Sequence, residues 1–284
     1  MPTLKISRKR AVAAGLALAL ITALLLTCHT RRRSAELATP HAPPTAAAPS
    51  PALFRPGEKL EYEFGWNGLS AATLNTSISV AADDAGEHLA FEYEVESAPA
   101  LQRIWSFKAG GRTLMDPQTA LPQLATSVSR TARREKRITV RFAPGLGTAE
   151  VKIWKTRDGE TKLKELTVEH GVDMPSAFMM LRAAAGGRDG ANAMTVISGD
   201  DLYEVVMTPV GAERVEVAAG SFDATEYDLT IREPAEGGEP DEEKYRRVRV
   251  WVSRQERIPL KLESQVFIGH VYGELVRFEP GQDG

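Results

Sequence analysis

Residues 58–66 read EKLEYEFGW, and the side chains alternate in character along the run. Tyr62, Phe64 and Trp66 share one face of an extended chain, while Glu61 and Glu63 share the other. A period of two suits a strand, which buries one face and wets the opposite one. The pattern returns downstream, in Leu74, Thr76, Ile78 and Val80, then in Phe91, Tyr93 and Val95 against Glu92, Glu94 and Glu96. Ile138, Val140 and Phe142 alternate with Arg137, Thr139 and Arg141. Pro144-Gly145-Leu146-Gly147 then turns the chain toward Val151 and Ile153, as in a hairpin. Further strands are predicted at 162–169, 194–198, 202–208, 213–218, 222–232, 244–253, 258–267 and 271–279, with Asp200-Asp201 and Ala219-Gly220 among the breaks. One apolar and one polar face marks antiparallel sheet. So many short strands predict a mainly β domain, a single antiparallel and strongly curved sheet or barrel-like closure.

A different period appears once. Met174, Ala177, Phe178 and Leu181 stand at i, i+3, i+4 and i+7, with Asp173 as N-cap, Pro175 in the first turn and Gly186-Gly187 as the stop. This predicts one short helix whose apolar stripe covers an open end or face of the sheet.

Charge is unevenly distributed. Residues 1–53 hold seven of the 35 basic and one of the 38 acidic residues, so 28 basic face 37 acidic residues from Phe54 onward. A nucleic-acid binder concentrates positive charge, and this domain does the reverse. Its lack of any cysteine after Cys28 also removes thiol nucleophiles and thiolate metal sites.

The N-terminus reads as an address. Lys5, Arg8, Lys9 and Arg10 precede an uncharged apolar run from Ala11 to Thr27, the layout of an export signal. Leu25-Leu26-Thr27-Cys28 resembles a lipobox, in which Cys28 would be lipidated, although Thr27 departs from the usual small residue. The same run approaches the roughly 18 apolar residues of a membrane span, so an uncleaved signal anchor stays equally open. Arg31-Arg32-Arg33 lies just beyond it, and the four basic residues on the other side still favour export of the C-terminus. Residues 34–53 are rich in Pro and Ala and predict a semi-extended spacer. The expected organisation is therefore signal or anchor over 1–28, spacer over 29–53 and β domain over 54–284.

Four ordered stretches carry a family resemblance. They are Gly57-Glu58-x-Leu60-x-Tyr62 with Trp66 and Gly68; Asp173-x-x-Ser176 with Leu181-Arg182; Val217-x-x-Gly220-x-Phe222; and Trp251-Val252-Ser253 with Ile258-Pro259-Leu260. In order and spacing they resemble the bacterial domain-of-unknown-function family 3108 (DUF3108). The resemblance implies an exported, β-rich envelope protein, and it transfers no catalytic residues. The hairpin running from Trp251 to Glu263 is also similar at fold level to lipoprotein carrier proteins, curved sheets with an apolar hollow.

Candidate chemistry is thin. His29, His41, His88, His170 and His270 show no metal-ligand spacing, so neither a metal nor a cofactor is expected. No GxSxG elbow occurs, and Ser176 reads as part of a helix start. Arg133, Arg137 and Arg141 would share one face of a strand and could meet an acidic partner or anionic head groups. The alternative is a solvated face guarding a sheet edge. The acidic stretch Glu233 to Glu243 reads as a soluble hairpin loop. Trp66, Trp105, Trp154 and Trp251 remain as candidates to line an apolar hollow. Trp154 and Trp251 each lie opposite the aliphatic row of their strands, which signals a second covered surface.

The expectation is a non-catalytic, membrane-tethered envelope protein on the periplasmic side that binds a partner protein or a lipid-like ligand on its curved sheet. A structural subunit of an envelope complex is the alternative, and an envelope-polymer hydrolase using paired carboxylates is a second.

Overall fold

The computed structural model describes residues 53–282, apart from 84–85, 103–105, 158, 186–191, 199–200, 233–245 and 267–268. The signal segment with Cys28, most of the spacer, Trp105, Gly186-Gly187, Asp200 and the acidic stretch lie outside the described residues.

Fifteen strands form one sheet among the described residues. The first eight are β1 (Lys59–Trp66), β2 (Leu69–Asp83), β3 (Gly86–Ser97), β4 (Phe107–Met115), β5 (Pro122–Thr131), β6 (Arg134–Phe142), β7 (Thr148–Arg157) and β8 (Glu160–Glu169). The rest are β9 (Gly171–Val172), β10 (Asn192–Ser198), β11 (Asp201–Val217), β12 (Gly220–Arg232), β13 (Arg246–Ser253), β14 (Pro259–Val266) and β15 (Gly269–Glu279). Two helices interrupt them, a short α1 (Pro99–Gln102) and α2 (Met174–Ala184). The sheet order is β8-β7-β6-β5-β4-β3-β2-β1-β15-β14-β13-β12-β11-β10-β9. Neighbours are antiparallel except β9 and β10, which run parallel. The mainly β expectation holds, with strands at nearly all the predicted segments.

Connectivity closes the sheet. β8 and β9 are its two edges, yet β8 ends at Glu169 and β9 begins at Gly171. Two residue steps span at most about 7 Å. The edges therefore lie side by side, and the sheet rolls into a nearly closed barrel with a seam. The two edge strands are not ladder partners. The seam is instead lapped, because β10 is buried on both faces. Its Met194 and Val196 pack on the side of α2, while Ile197 joins Val140, Val151, Ile153 and Val168 of β6–β8, with Leu202 against them. Gly171 sits where this overlap is tightest. A Cβ there would come within 2.7 Å of Ile197 and 3.0 Å of Val168.

A barrel of eight strands is filled by its own side chains, and more strands leave a wider interior. Here α2 occupies that interior. Phe178, Met179, Met180 and Leu181 are consecutive and together point around most of the helix. The helix touches three of the apolar clusters, one around Val196 and Val250, one around Leu60 and Leu275, and one around Phe91 and Met115. Met179 is fully buried. The helix is thus more enclosed than the single predicted stripe requires, because it has sheet on several sides.

Besides the two-residue β9, two strands escape the period-two reading. In β4, Gly110-Gly111 removes the side chains that would show alternation. Gly111 lies in register with Tyr93, whose ring a Cβ would meet at 2.6 Å. In β5 the inward places are taken by Ala125, Ser127 and Ser129, which are too small to signal burial. Conversely, segments 202–208 and 213–218 are one strand, β11. Pro209-Val210-Gly211 makes a bulge within it, with Pro209 paired to Tyr227 and Gly211 to Glu226. A bulge admits the extra residue, Val210, without ending the ladder.

Candidate functional site

The stretches that carry the family resemblance meet around α2. Its single charge, Arg182, is 1% exposed and needs an equally buried counterion. Glu58, just before β1, supplies it. Arg182 Nη1 donates to Glu58 Oε1 at 2.6 Å and Nη2 to Oε2 at 2.9 Å, a parallel two-bond fork. The remaining edge of the guanidinium is used as well, since Nε donates to the carbonyl of Arg257 at 2.8 Å. One side chain thereby ties the strand-entry turn, the helix and the β13–β14 connection together. Beside it, the Tyr62 hydroxyl donates to the carbonyl of Pro259 at 2.9 Å. Burial holds the Tyr62 phenol well above its ordinary range, the nearby Arg182 charge opposing this and Glu58 adding to it.

The other end of α2 is capped by Asp173. Its carboxylate accepts from the Ser176 amide at 3.2 Å and from the hydroxyls of Ser176 and Thr113. Burial raises its proton affinity, and the hydrogen bonds from Ser176 and Thr113 oppose the shift. Tyr93 is likewise held far up, by burial first and then by the Asp173 charge. Ser176 is 2% exposed, and its hydroxyl serves the cap. Among the described residues, no group of three His, Cys, Asp or Glu side chains could hold a metal ion.

The barrel also presents a groove of about 910 Å³ running across β15, β1, β2, β3, β4 and β5. Register places its side chains mainly on the outer face. Glu61 pairs with Asn75, Asn75 with Glu94, and Glu94 with Gly110, in a row opposite in parity to the buried Leu60 row. Lys59, Lys108, Arg130 and Arg277 face Glu61, Glu92, Glu94 and Glu279 along it. The floor is Asn75, Ser77, Gly110 and Val128. Several of the charges are cross-linked on the surface, as in Lys59 with Glu279 at 3.5 Å.

The three described tryptophans are dispersed. Trp66 lies partly buried on the inner face against the cluster that holds Val271. Trp251 is 5% exposed on the opposite face from Val250 and Val252, packed in a cluster with Val215 and Ala224 of the β11–β12 hairpin. Its indole N–H donates to Glu213, and Arg249 and Lys261 lie 5.3 and 5.2 Å from its ring centroid. That hairpin reaches past β14 to β15, where the Ala219 amide donates to Leu275 at 3.2 Å. Trp154 sits half-buried on the outer face of β7, between Arg137 and Leu163. They line no common hollow.

Of the basic trio, Arg137 and Arg141 do share the outer face of β6. Arg133 does not, because the β5–β6 hairpin closes at the Thr131–Arg134 pair and leaves it in the turn. Arg137 donates to Glu135 at 2.6 Å, and Arg141 stands opposite Glu150. The sequence reading missed the pairing of Glu58 with Arg182 and the part of Thr113. The first was signalled by a lone arginine in an apolar helix. Thr113 stands in the unrecognised β4 and gave no signal.

Together these features define a rolled antiparallel barrel with an internal helix pinned by buried polar contacts. The sequence profile described as "Protein of unknown function (DUF3108)" matches residues 61–276, and the chain belongs to that family. Among solved structures, it is similar to a β-barrel-like protein of the domain of unknown function DUF1849 from Brucella abortus. The two are 12% identical, with 80% of this chain and 98% of that one covered and a TM-score of 0.50. That likeness concerns the fold alone. A Bacteroides fragilis protein described as exported, with a YmcC-like fold, covers 80% of this chain and 99% of its own at 11% identity and a TM-score of 0.33. A Parabacteroides distasonis protein described as a lipoprotein covers 82% and 99% at 8% identity and a TM-score of 0.32. Comparison with curated proteins finds no match.

Two outcomes follow from the polar contacts. Replacing Arg182 by Met leaves Glu58 buried without its partner and should cost about 3–5 kcal/mol, while adding Glu58→Leu should restore much of the loss. Urea unfolding of the single and double variants measures both. For Asp173, a folded-state proton affinity above its ordinary value near 3.8 means that the native chain holds a proton the unfolded one releases. The stabilisation from this group is complete below that ordinary value and is lost as pH rises through the raised one. The stability of wild type relative to Asp173→Asn should accordingly shrink with rising pH, as read by unfolding across an acid pH series.

Proposed function

We propose that the protein is a non-catalytic envelope protein, held to a membrane by its N-terminal segment, that binds a partner protein on the outside of its barrel. The observation that carries this reading is the contrast between the two faces. The inner face is packed with apolar side chains around α2. The open groove on the outer face is lined by side chains of both charges around a floor of small groups. A carrier of lipid-like molecules needs apolar walls around an unfilled space. A groove lined by four basic and four acidic side chains suits a polar protein surface, with charge pattern setting register and selectivity. The buried serine at the helix cap also lacks the exposure a nucleophile requires. The basic n-region, apolar run and Pro/Ala spacer support export and tethering.

Photo-crosslinking in cells tests the proposal on the full chain. A benzophenone side chain in place of Asn75 or Ser77, on the groove floor, should capture one dominant protein. The same probe at Thr167, on the outer face of β8, should not. Equal, diffuse capture from all three positions would overturn the proposal.

A further inference from the structure

β6, β7 and β8 concentrate positive charge on one side of the sheet. Residues of the same parity as Val140, Ile153 and Val168 face inward, and toward the turn ends of these strands that parity selects Arg134, Lys136, Lys155, Arg157, Lys162 and Lys164. Glu160 is the one carboxylate among the described residues of this inner set. The outer set leans acidic, with Arg137, Arg141 and Lys152 against Glu135, Glu150, Glu165 and Glu169, and Lys152 lies 3.1 Å from Glu165. The contrast is sharper against the whole domain, in which 28 basic face 37 acidic residues from Phe54 onward.

The same hairpin leaves the body of the barrel. Residues Glu160 to Glu165 of β8 are all exposed, on both faces of the strand, whereas Val168 near its end is buried. Leu163 is 55% exposed and pairs in register with the half-buried Trp154. Lys162 and Lys164 flank Leu163 and point to the other side. An edge strand that only had to avoid sheet addition would need its charges but no exposed leucine next to a tryptophan. An exposed edge strand that offers lysines on one side and an apolar group beside an indole on the other can lie edge-on at lipid head groups, the aliphatic groups entering the boundary while the ammonium groups stay at phosphate level.

We propose that the hairpin docks on an anionic bilayer surface by its exposed β8 edge, with Lys162 and Lys164 reaching lipid phosphates from one side of the strand and Leu163, beside Trp154, entering the head-group boundary from the other. The net negative charge of the domain, 28 basic against 37 acidic residues from Phe54 onward, disfavours contact by the surface as a whole, so docking by this edge sets orientation as well as distance. The 19 residues from 34 to 52 would reach roughly 60 Å if extended at about 3 Å each, enough for the hairpin to turn to the membrane that holds the chain. The inference rests on the proposed tether only for bringing the hairpin to a bilayer.

The experiment uses the full chain in lipid nanodiscs of phosphatidylcholine alone and of an equal mixture of phosphatidylcholine and phosphatidylglycerol. Each basic residue near an anionic leaflet is worth about fivefold in partitioning. Backbone amide exchange over residues 152–165 should slow about tenfold in the mixed discs relative to the neutral ones, and raised salt should remove the difference. Lys162→Glu with Lys164→Glu should abolish it while the chain stays on the disc. Both positions are exposed, and an unchanged fluorescence of the buried Trp251 region shows that the fold is kept. Equal exchange in the two discs, or slowing that survives the double substitution, overturns the proposal. A chain that leaves both discs argues against the tether instead, and docking is then read with vesicles of the same two compositions.

Discussion

Glu169 and Gly171 stand two positions apart in the chain and at opposite edges of a fifteen-strand sheet, and the rest of the structure answers to that constraint. A sheet so connected must bring its edges together. Hydrogen bonds between those edges would complete a ladder, but β8 carries Glu160, Lys162, Lys164 and Glu165 on a strand that is largely in water. The chain closes by overlap instead, sliding β10 beneath β6–β8. Ile197 then takes from Val140, Val151, Ile153 and Val168 the burial that a ladder partner would otherwise bring. Burial of this kind depends on area removed from water and not on direction, so it tolerates the mismatch of two strands that do not pair.

Rolling so many strands together creates an interior that side chains from the sheet alone would not fill. α2 enters directly after the seam and takes that space, with apolar residues on consecutive positions. A helix in such a place has free amides at one end and needs fixing in rotation. Asp173 meets the first need, through Ser176 and its own geometry, and Arg182 the second, through Glu58 and the Arg257 carbonyl. Buried ion pairs add little net stability when compared with well-packed apolar residues. Here the pair works as a register pin, since turning the helix would strand two charges in an apolar interior.

Much of this was legible in the sequence because the sheet has one wet face. Glu61 and Glu63 against Tyr62, Phe64 and Trp66 reveal a strand wherever large apolar and charged groups alternate, and Asp173 with Pro175 marks the helix start. The reading fails where burial is achieved with small groups. Gly111 yields its volume to Tyr93, and Ser127 and Ser129 face inward with no apolar signal, so β4 and β5 stayed hidden. Closure itself is a property of strand order, which local periodicity does not encode. The pairing of Glu58 with Arg182 spans 124 positions, and only the resemblance grouped those residues. The candidate tryptophans show the other limit. Their type suggested a shared hollow, while the positions of Trp66, Trp154 and Trp251 are set by three different packing problems.

With its interior occupied, the molecule has its outer surface and its projecting hairpin to offer, and both functional readings follow from that division. The central claim is that α2 lies inside a nearly closed barrel and not across an open end. Ala177→Cys, in a Cys28→Ser background, places one thiol on the buried side of the helix. Under native conditions it should react with a thiol reagent only as fast as the whole domain unfolds, with the same dependence on urea. Rapid labelling while the β-sheet remains intact would contradict the account.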